Sequence, residues 1–238
     1  MIVTDTSPLT FKYLNLPHAL GGRGGVQRFF LLSQNIPFGE QLITYDDKWV
    51  AEKERLVTSG ENPCGSVPII YAASKNDKDD QQSSAIPLIQ HIAASRYLAQ
   101  IHKVTSECPH QDYIQDLVAD EYQGFRDKWV HIAFAGTDDE KKTYREDELP
   151  KCLTKFNQLY QQLKTHETYL SVSKRTGQPL WGDAAIFGLL RDNMLTGFVT
   201  VDELKETYPE LFSLYTSYEK IPSVKEWIDA KAATLSTA

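Results

Sequence analysis

Residues 62–70, Asn-Pro-Cys-Gly-Ser-Val-Pro-Ile-Ile, and residues 86–99, Ile-Pro-Leu-Ile-Gln-His-Ile-Ala-Ala-Ser-Arg-Tyr-Leu-Ala, decide how this chain is read. Val67-Pro68 heads an apolar run, and a proline at the first position of a strand gives up no ladder donor. An X-Pro bond there is also a place where the cis form costs little, about 0.5–1 kcal/mol. After a polar stretch at residues 74–84 a second short apolar run follows. Gln90-His91 then opens a helix whose apolar positions, Ile92, Ala93, Tyr97, Leu98 and Ile101, fall at helical spacing. The helix start offers backbone amides to a carboxylate. The same residues also suit an ordinary hairpin followed by a packing helix.

Toward the N-terminus, residues 9–14 alternate as a strand, bounded by Pro8 and Asn15. Residues 16–25, rich in glycine, read as a loop. Neither GxGxxG nor a GKT or GKS run is present, which argues against a nucleotide site. A helical pattern begins at Val26 and stops at Pro37. Residues 38–45 read as a second strand, and Asp46-Asp47 can cap a short helix carrying Trp49 and Lys53. The order β-α-β-α-β-β-α predicts a small mixed sheet with a parallel first pair and a final hairpin.

Beyond a linker at residues 103–109 the pattern is helical throughout. Helices are expected at 112–134, 138–164, 183–195, 201–207, 210–219 and 223–231, punctuated by Gly136, Gly177, Pro179, Gly197, Pro209 and Pro222. The fold class is therefore α/β plus all-α. One domain is expected over residues 1–103 and an α-helical one over 109–238. The net charge of −7 argues against a nucleic-acid partner. No apolar run is long enough to span a membrane, and the first residues do not read as a signal peptide. Cys64, Cys108 and Cys152 are scattered and odd in number, which points to a reducing cytoplasm and to no zinc spacing.

Several residues could carry chemistry. Tyr13 ends the first strand at the glycine-rich loop; it is equally an ordinary strand tyrosine. Arg23 and Arg28 lie about one helical turn apart and could be surface arginines. Trp49 and Lys53, four residues apart, share a helix face, where they could hold a carboxylate or simply pack. Gln90 and His91 could receive an anion or serve as caps. Asp183 reads as a helix-start acid.

In ordered spacing these residues resemble the sigma-like, tyrosine-type branch of the cytosolic glutathione transferases. Residues 9–15, LTFKYLN, are similar to that branch's LTYFN. Residues 22–28, GRGGVQR, resemble GRAExxR. Trp49 and Lys53 fall at its WxxxK, and residues 63–68, PCGSVP, match P-x-G-x-[IV]-P. Residues 90–99, QHIAASRYLA, resemble QSxAIxRYLA, and residues 221–227, IPSVKEW, resemble its closing IPxVxxW. The resemblance implies an N-terminal thioredoxin-like domain, a C-terminal α-helical bundle and a homodimer.

It also implies roles. Tyr13 would donate its hydroxyl to the glutathione sulfur. Val67, with Pro68 in cis, would pair with the cysteinyl backbone, and Ser66 and Arg23 would join the glutathione site. Gln90 and His91 would hold the γ-glutamyl carboxylate, while Trp49 and Lys53 would reach the glycyl one. Leu16, Leu20, Tyr122 and Trp129 would line the pocket for a hydrophobic electrophile, with glutathione as co-substrate and no metal. The implied activity is conjugation of glutathione to small electrophiles. A ligand-binding protein with little turnover, or a glutathione-dependent isomerase or peroxidase, are the rival readings. A cysteine-type reductase is disfavoured, since no cysteine lies between Leu9 and Arg28.

Departures from the branch carry their own expectations. His91 replaces its usual Ser or Thr; a protonated imidazole there would tighten glutathione binding as pH falls from about 8 to 6. The loop at residues 16–21 and the insert at 75–84 are long. Gly124 stands where the branch often has an acid that reaches the partner subunit's glutathione. Leu180 stands where a Thr would complete a capping box with Asp183.

Overall fold

The computed structural model describes residues 9–72, 86–164 and 172–235. The insert at 75–84 lies outside them. Strand β1 (Leu9–Leu14) buries Leu9, Phe11 and Tyr13 and half-buries Thr10, Lys12 and Leu14, as a period of two dictates. Helix α1 (Gly22–Ser33) carries the chain to β2 (Phe38–Ile43), which pairs parallel to β1 with Tyr13 opposite Leu42. A parallel pair needs such a crossover. Helix α2 (Asp47–Thr58) starts where the Asp46 carboxylate accepts the Lys48 amide at 2.8 Å.

The Val67–Pro68 peptide is cis and leads into β3 (Ile69–Ala72), which runs antiparallel to β1 and to β4 (Ile86–Leu88). The sheet order is β2-β1-β3-β4. Helix α3 (His91–Ile101) follows at once. This is the thioredoxin-like arrangement that the resemblance implies.

Helix α1 differs from expectation: it begins at Gly22, four residues before Val26. The Gly21 and Gly22 amides donate to the Asp192 carboxylate at 2.7 and 2.8 Å, and Gly22 adopts φ +54°. The start of the helix is thus fixed by a side chain far away in sequence. A local reading sees only glycines and predicts a loop.

The second unit comprises α4 (Pro109–Ala135), α5 (Asp138–Thr143), α6 (Leu149–Lys164), α7 (Trp181–Leu195), α8 (Val201–Thr207), α9 (Pro209–Glu219) and α10 (Pro222–Leu235). A π turn at Tyr144–Glu148 joins α5 to α6, so the helix expected at 138–164 is broken in hydrogen bonding but not in path. Twelve of the fifteen residues of α7 are buried, which makes it the central helix. Its Phe187 packs on Phe29 of α1 (4.8 Å between ring centroids) and stacks on Tyr218 of α9 (4.6 Å). Each such buried ring contributes roughly 1.5–3 kcal/mol. The two units therefore share one apolar seam along α1 and α7. No described helix is long and apolar enough to cross a membrane.

Candidate functional site

A cleft of about 240 Å³ opens where the end of β1, the first turn of α1, the start of α2, residues 65–67 and the end of α4 converge. Tyr13, Arg23, Trp49, Ser66, Val67 and Leu16 all line it, so six of the residues singled out in the sequence come together here.

Tyr13 lies buried at the floor. A Cβ on Gly24 would sit 2.5 Å from its ring, and one on Gly22 would collide with its hydroxyl, so the glycines of this turn are required by the ring's close approach. The Gly24 amide donates to the Tyr13 oxygen, leaving the O–H to donate elsewhere. Burial pushes the phenol's pKa up; the Gly24 hydrogen bond and the Arg126 and Arg28 charges oppose this, and Asp192 adds to it. The hydroxyl accordingly stays protonated, as a hydrogen-bond donor must.

The opposite wall is built locally. Asn62 is buried; its side-chain amide donates to the Ser66 carbonyl at 2.6 Å and its carbonyl accepts the Cys64 amide at 3.0 Å. Those two bonds shape the loop that delivers Ser66 and Val67 to the cleft. Gly65, at φ +55°, lets this turn pack on α2: a Cβ there would lie 2.8 Å from Val57 Cγ2 and 3.4 Å from the Lys53 stem. Lys53 is exposed on α2 beside that turn, and Pro68 is buried behind Val67. Gln90 is exposed at the start of α3 with φ +64°, a conformation non-glycine residues avoid and which clusters at ligand sites.

His91 departs from expectation. Its imidazole is 3% exposed and meets the Tyr122 ring edge-on at 5.9 Å. Burial, then the charges of Arg126 and Arg23, hold its pKa down at about 3. The ring is neutral and turned inward, so the expected protonation between pH 8 and 6 does not occur. Only the backbone of His91 remains available to a carboxylate.

Three residues expected in the electrophile pocket belong to the core instead. Tyr122 and Trp129 are fully buried on α4, and Leu20 is nearly so. Tyr122 and Trp129 flank Arg126, whose guanidinium donates to the Tyr122 hydroxyl at 2.8 Å, pairs with Asp192 at 2.5 Å and lies 4.8 Å over the Trp129 ring. The apolar wall of the cleft is Leu14, Leu16, Tyr45, Val130 and Phe134. Val130 and Phe134 follow Arg126 at steps of four, one face of α4. That i, i+4 spacing is the sequence signal for them. Arg23 pairs with Asp127 at 2.6 Å at the rim. Arg28 is structural: it binds Glu40 at 2.5 Å and packs between Phe11 and Trp227. Among the described residues, no group of three or more His, Cys, Asp or Glu is disposed to hold a metal.

Comparison with known proteins follows the same lines. Residues 123–231 match the family described as glutathione S-transferase, C-terminal domain. A curated glutathione S-transferase of Anopheles gambiae is 26% identical over 211 residues, covering 87% of this chain and 90% of its own. Among solved structures, the Pi-class glutathione S-transferase of Onchocerca volvulus superposes with a TM-score of 0.72 at 20% identity, over 95% of this chain and 94% of its own. The sigma-class enzyme of Fasciola hepatica gives 0.71 at 18% identity, over 95% and 98%. With the sheet, the helical unit and the cleft between them already described, the chain is similar to the glutathione S-transferases in fold along its length and matches their C-terminal domain over residues 123–231.

Proposed function

We propose that this protein conjugates glutathione to small hydrophobic electrophiles, with Tyr13 stabilising the thiolate. The observation that carries the reading is the Tyr13 hydroxyl at the floor of the cleft, its oxygen already bonded by the Gly24 amide and its proton free to donate. A free thiol has a pKa near 8.5, so about a few per cent is ionised at neutral pH. Lowering it by about two units requires roughly 2.7 kcal/mol. One hydrogen bond to a charged group contributes about 1.5–3 kcal/mol, enough for most of the shift.

Glutathione would lie with its cysteinyl backbone on Val67 and its γ-glutamyl carboxylate at the start of α3, on Gln90 and the His91 backbone. Its glycyl end would reach Trp49 and Lys53, with Ser66 and Arg23 on either side. The electrophile would sit against Leu16, Tyr45, Val130 and Phe134. Residues 1–103 would bind glutathione and 109–238 would complete the pocket, in a cytoplasmic homodimer.

Steady-state kinetics of Tyr13→Phe with glutathione and an aryl halide test this. The expected result is a kcat lower by about tenfold to a hundredfold with KM for glutathione nearly unchanged, since the lost bond forms to the thiolate. Turnover equal to wild type would remove Tyr13 from the mechanism. Resin binding without turnover would favour the ligand-binding reading.

A further inference from the structure

We propose that Asp192, a residue of the helical unit, is a positioning residue for Tyr13, acting through the first turn of α1. The proposal rests on the reading that Tyr13 stabilises the thiolate. Asp192 is buried, and its two oxygens are divided between Gly21 (2.7 Å), Gly22 (2.8 Å) and the Arg126 guanidinium (2.5 Å). The Gly21 and Gly22 amides are orphan donors at a helix start, and no local side chain caps them. Asp192 therefore does from α7 what an N-cap residue does from its own chain neighbours.

The consequence reaches the hydroxyl in one step. The same turn supplies Gly22, against which the Tyr13 hydroxyl rests, and Gly24, whose amide bonds its oxygen. Arg126 pairs with Asp192 at 2.5 Å and holds it in place; the remaining Nη2 of Arg126 has no hydrogen-bond partner among the described residues, and the side chain is wholly buried. The charged groups around Tyr13 are Arg28 from α1, Arg126 from α4 and Asp192 from α7. Among the described residues, these are the charges that act on it most strongly. If the turn shifts, the hydroxyl shifts with it, while Ser66, Val67, Trp49 and Gln90 keep their own supports. Asp192 should thus control the chemical step more than glutathione binding.

Two variants separate this from a purely structural role. Asp192→Glu keeps a counter-charge for Arg126 but displaces the carboxylate by a methylene from the two amides. Arg126→Met/Asp192→Asn removes both charges together, so no buried ion is left unpaired, and offers the turn an amide in place of two carboxylate oxygens. Both are measured with glutathione and an aryl chloride, alone and combined with Tyr13→Phe. Misplacement of a reacting group by about 1 Å costs up to about a hundredfold. We expect kcat to fall about tenfold or more, KM for glutathione to change by less than about threefold, and the apparent pKa of the bound thiol to rise. In the Tyr13→Phe background neither variant should lower kcat further. An equal fold-loss in both backgrounds, or a wild-type thiol pKa in both variants, would overturn the role of Asp192 and leave that of Tyr13 standing. Wild-type turnover of Tyr13→Phe alone would instead overturn the thiolate reading.

Discussion

Helix α7 carries two acids nine residues apart, the half-buried Asp183 and the buried Asp192, and they live in opposite surroundings. Asp192 faces a guanidinium and two backbone amides. Among the described residues, Asp183 accepts from neutral donors: the Tyr160 hydroxyl at 2.6 Å and the Gln115 side chain at 3.3 Å. Burial without a cation pushes the Asp183 carboxyl up to about 6. The first acid ties the helical unit to the cleft. The second belongs to the start of α7, where Leu180 provides no side-chain cap and Gln115 of α4 takes over, its carbonyl accepting the Gly182 and Asp183 amides at 2.8 and 3.1 Å. Two acids on one helix thus serve different ends, one positioning a site and the other finishing a helix.

The largest effect should come from the paired end. Arg126→Met alone leaves Asp192 buried without its cation, and such breaks cost about 3–5 kcal/mol. Equilibrium denaturation should show a loss of that order, well above the loss for Arg126→Met/Asp192→Asn; equal losses would mean that the charge pairing is not what holds the site. The unpaired end gives the next effect. A carboxyl with a native pKa of about 6 against an ordinary value of 3.8 binds its proton more tightly when folded. Stability therefore falls as pH rises through that window and is flat above it. The shift corresponds to about 2–3 kcal/mol. Denaturation of wild type and Asp183→Asn from about pH 4 to 7 should show a slope reduced by that order in the variant. Parallel curves would place the Asp183 pKa near its ordinary value.

Smaller still is the effect at the locally built wall. Asn62→Ala removes two hydrogen bonds and should cost about 1–2 kcal/mol, read as a raised KM for glutathione with kcat nearly kept. That is the reverse of the pattern expected for Asp192, and a fall in kcat alone would erase the distinction between the two walls. The smallest effect is at His91. Because its imidazole is already neutral and enclosed, His91→Ser should leave the pH profile of glutathione affinity unchanged between about pH 6 and 8. A profile that flattens on substitution would restore the imidazole as a ligand.

Much of this was legible in the sequence, for reasons that can be named. The strand order, the helical second half and the Val67-Pro68 turn follow from short-range periodicity and turn chemistry, which a single chain displays. Tyr13, Arg23, Trp49, Ser66 and Val67, which line the cleft, each sit in a motif with fixed local spacing. The early start of α1 was not legible, because its cap is Asp192, 170 residues away from Gly22. Nor was the inward turn of His91, which depends on Tyr122 and Arg126 packing over it from α4. Tyr122 and Trp129 were placed in the pocket because aromatic residues suit such walls. The buried Arg126 they pack against makes them core instead, and Val130 and Phe134, further along the same helix, line the cleft.

The most direct test of the account is the pKa of glutathione's thiol when bound, followed by thiolate absorbance across pH in wild type and Tyr13→Phe. The account predicts a bound-thiol pKa below the free value of about 8.5 in wild type, rising by about one to two units in the variant while glutathione still binds. An identical bound-thiol pKa in the two proteins would contradict it.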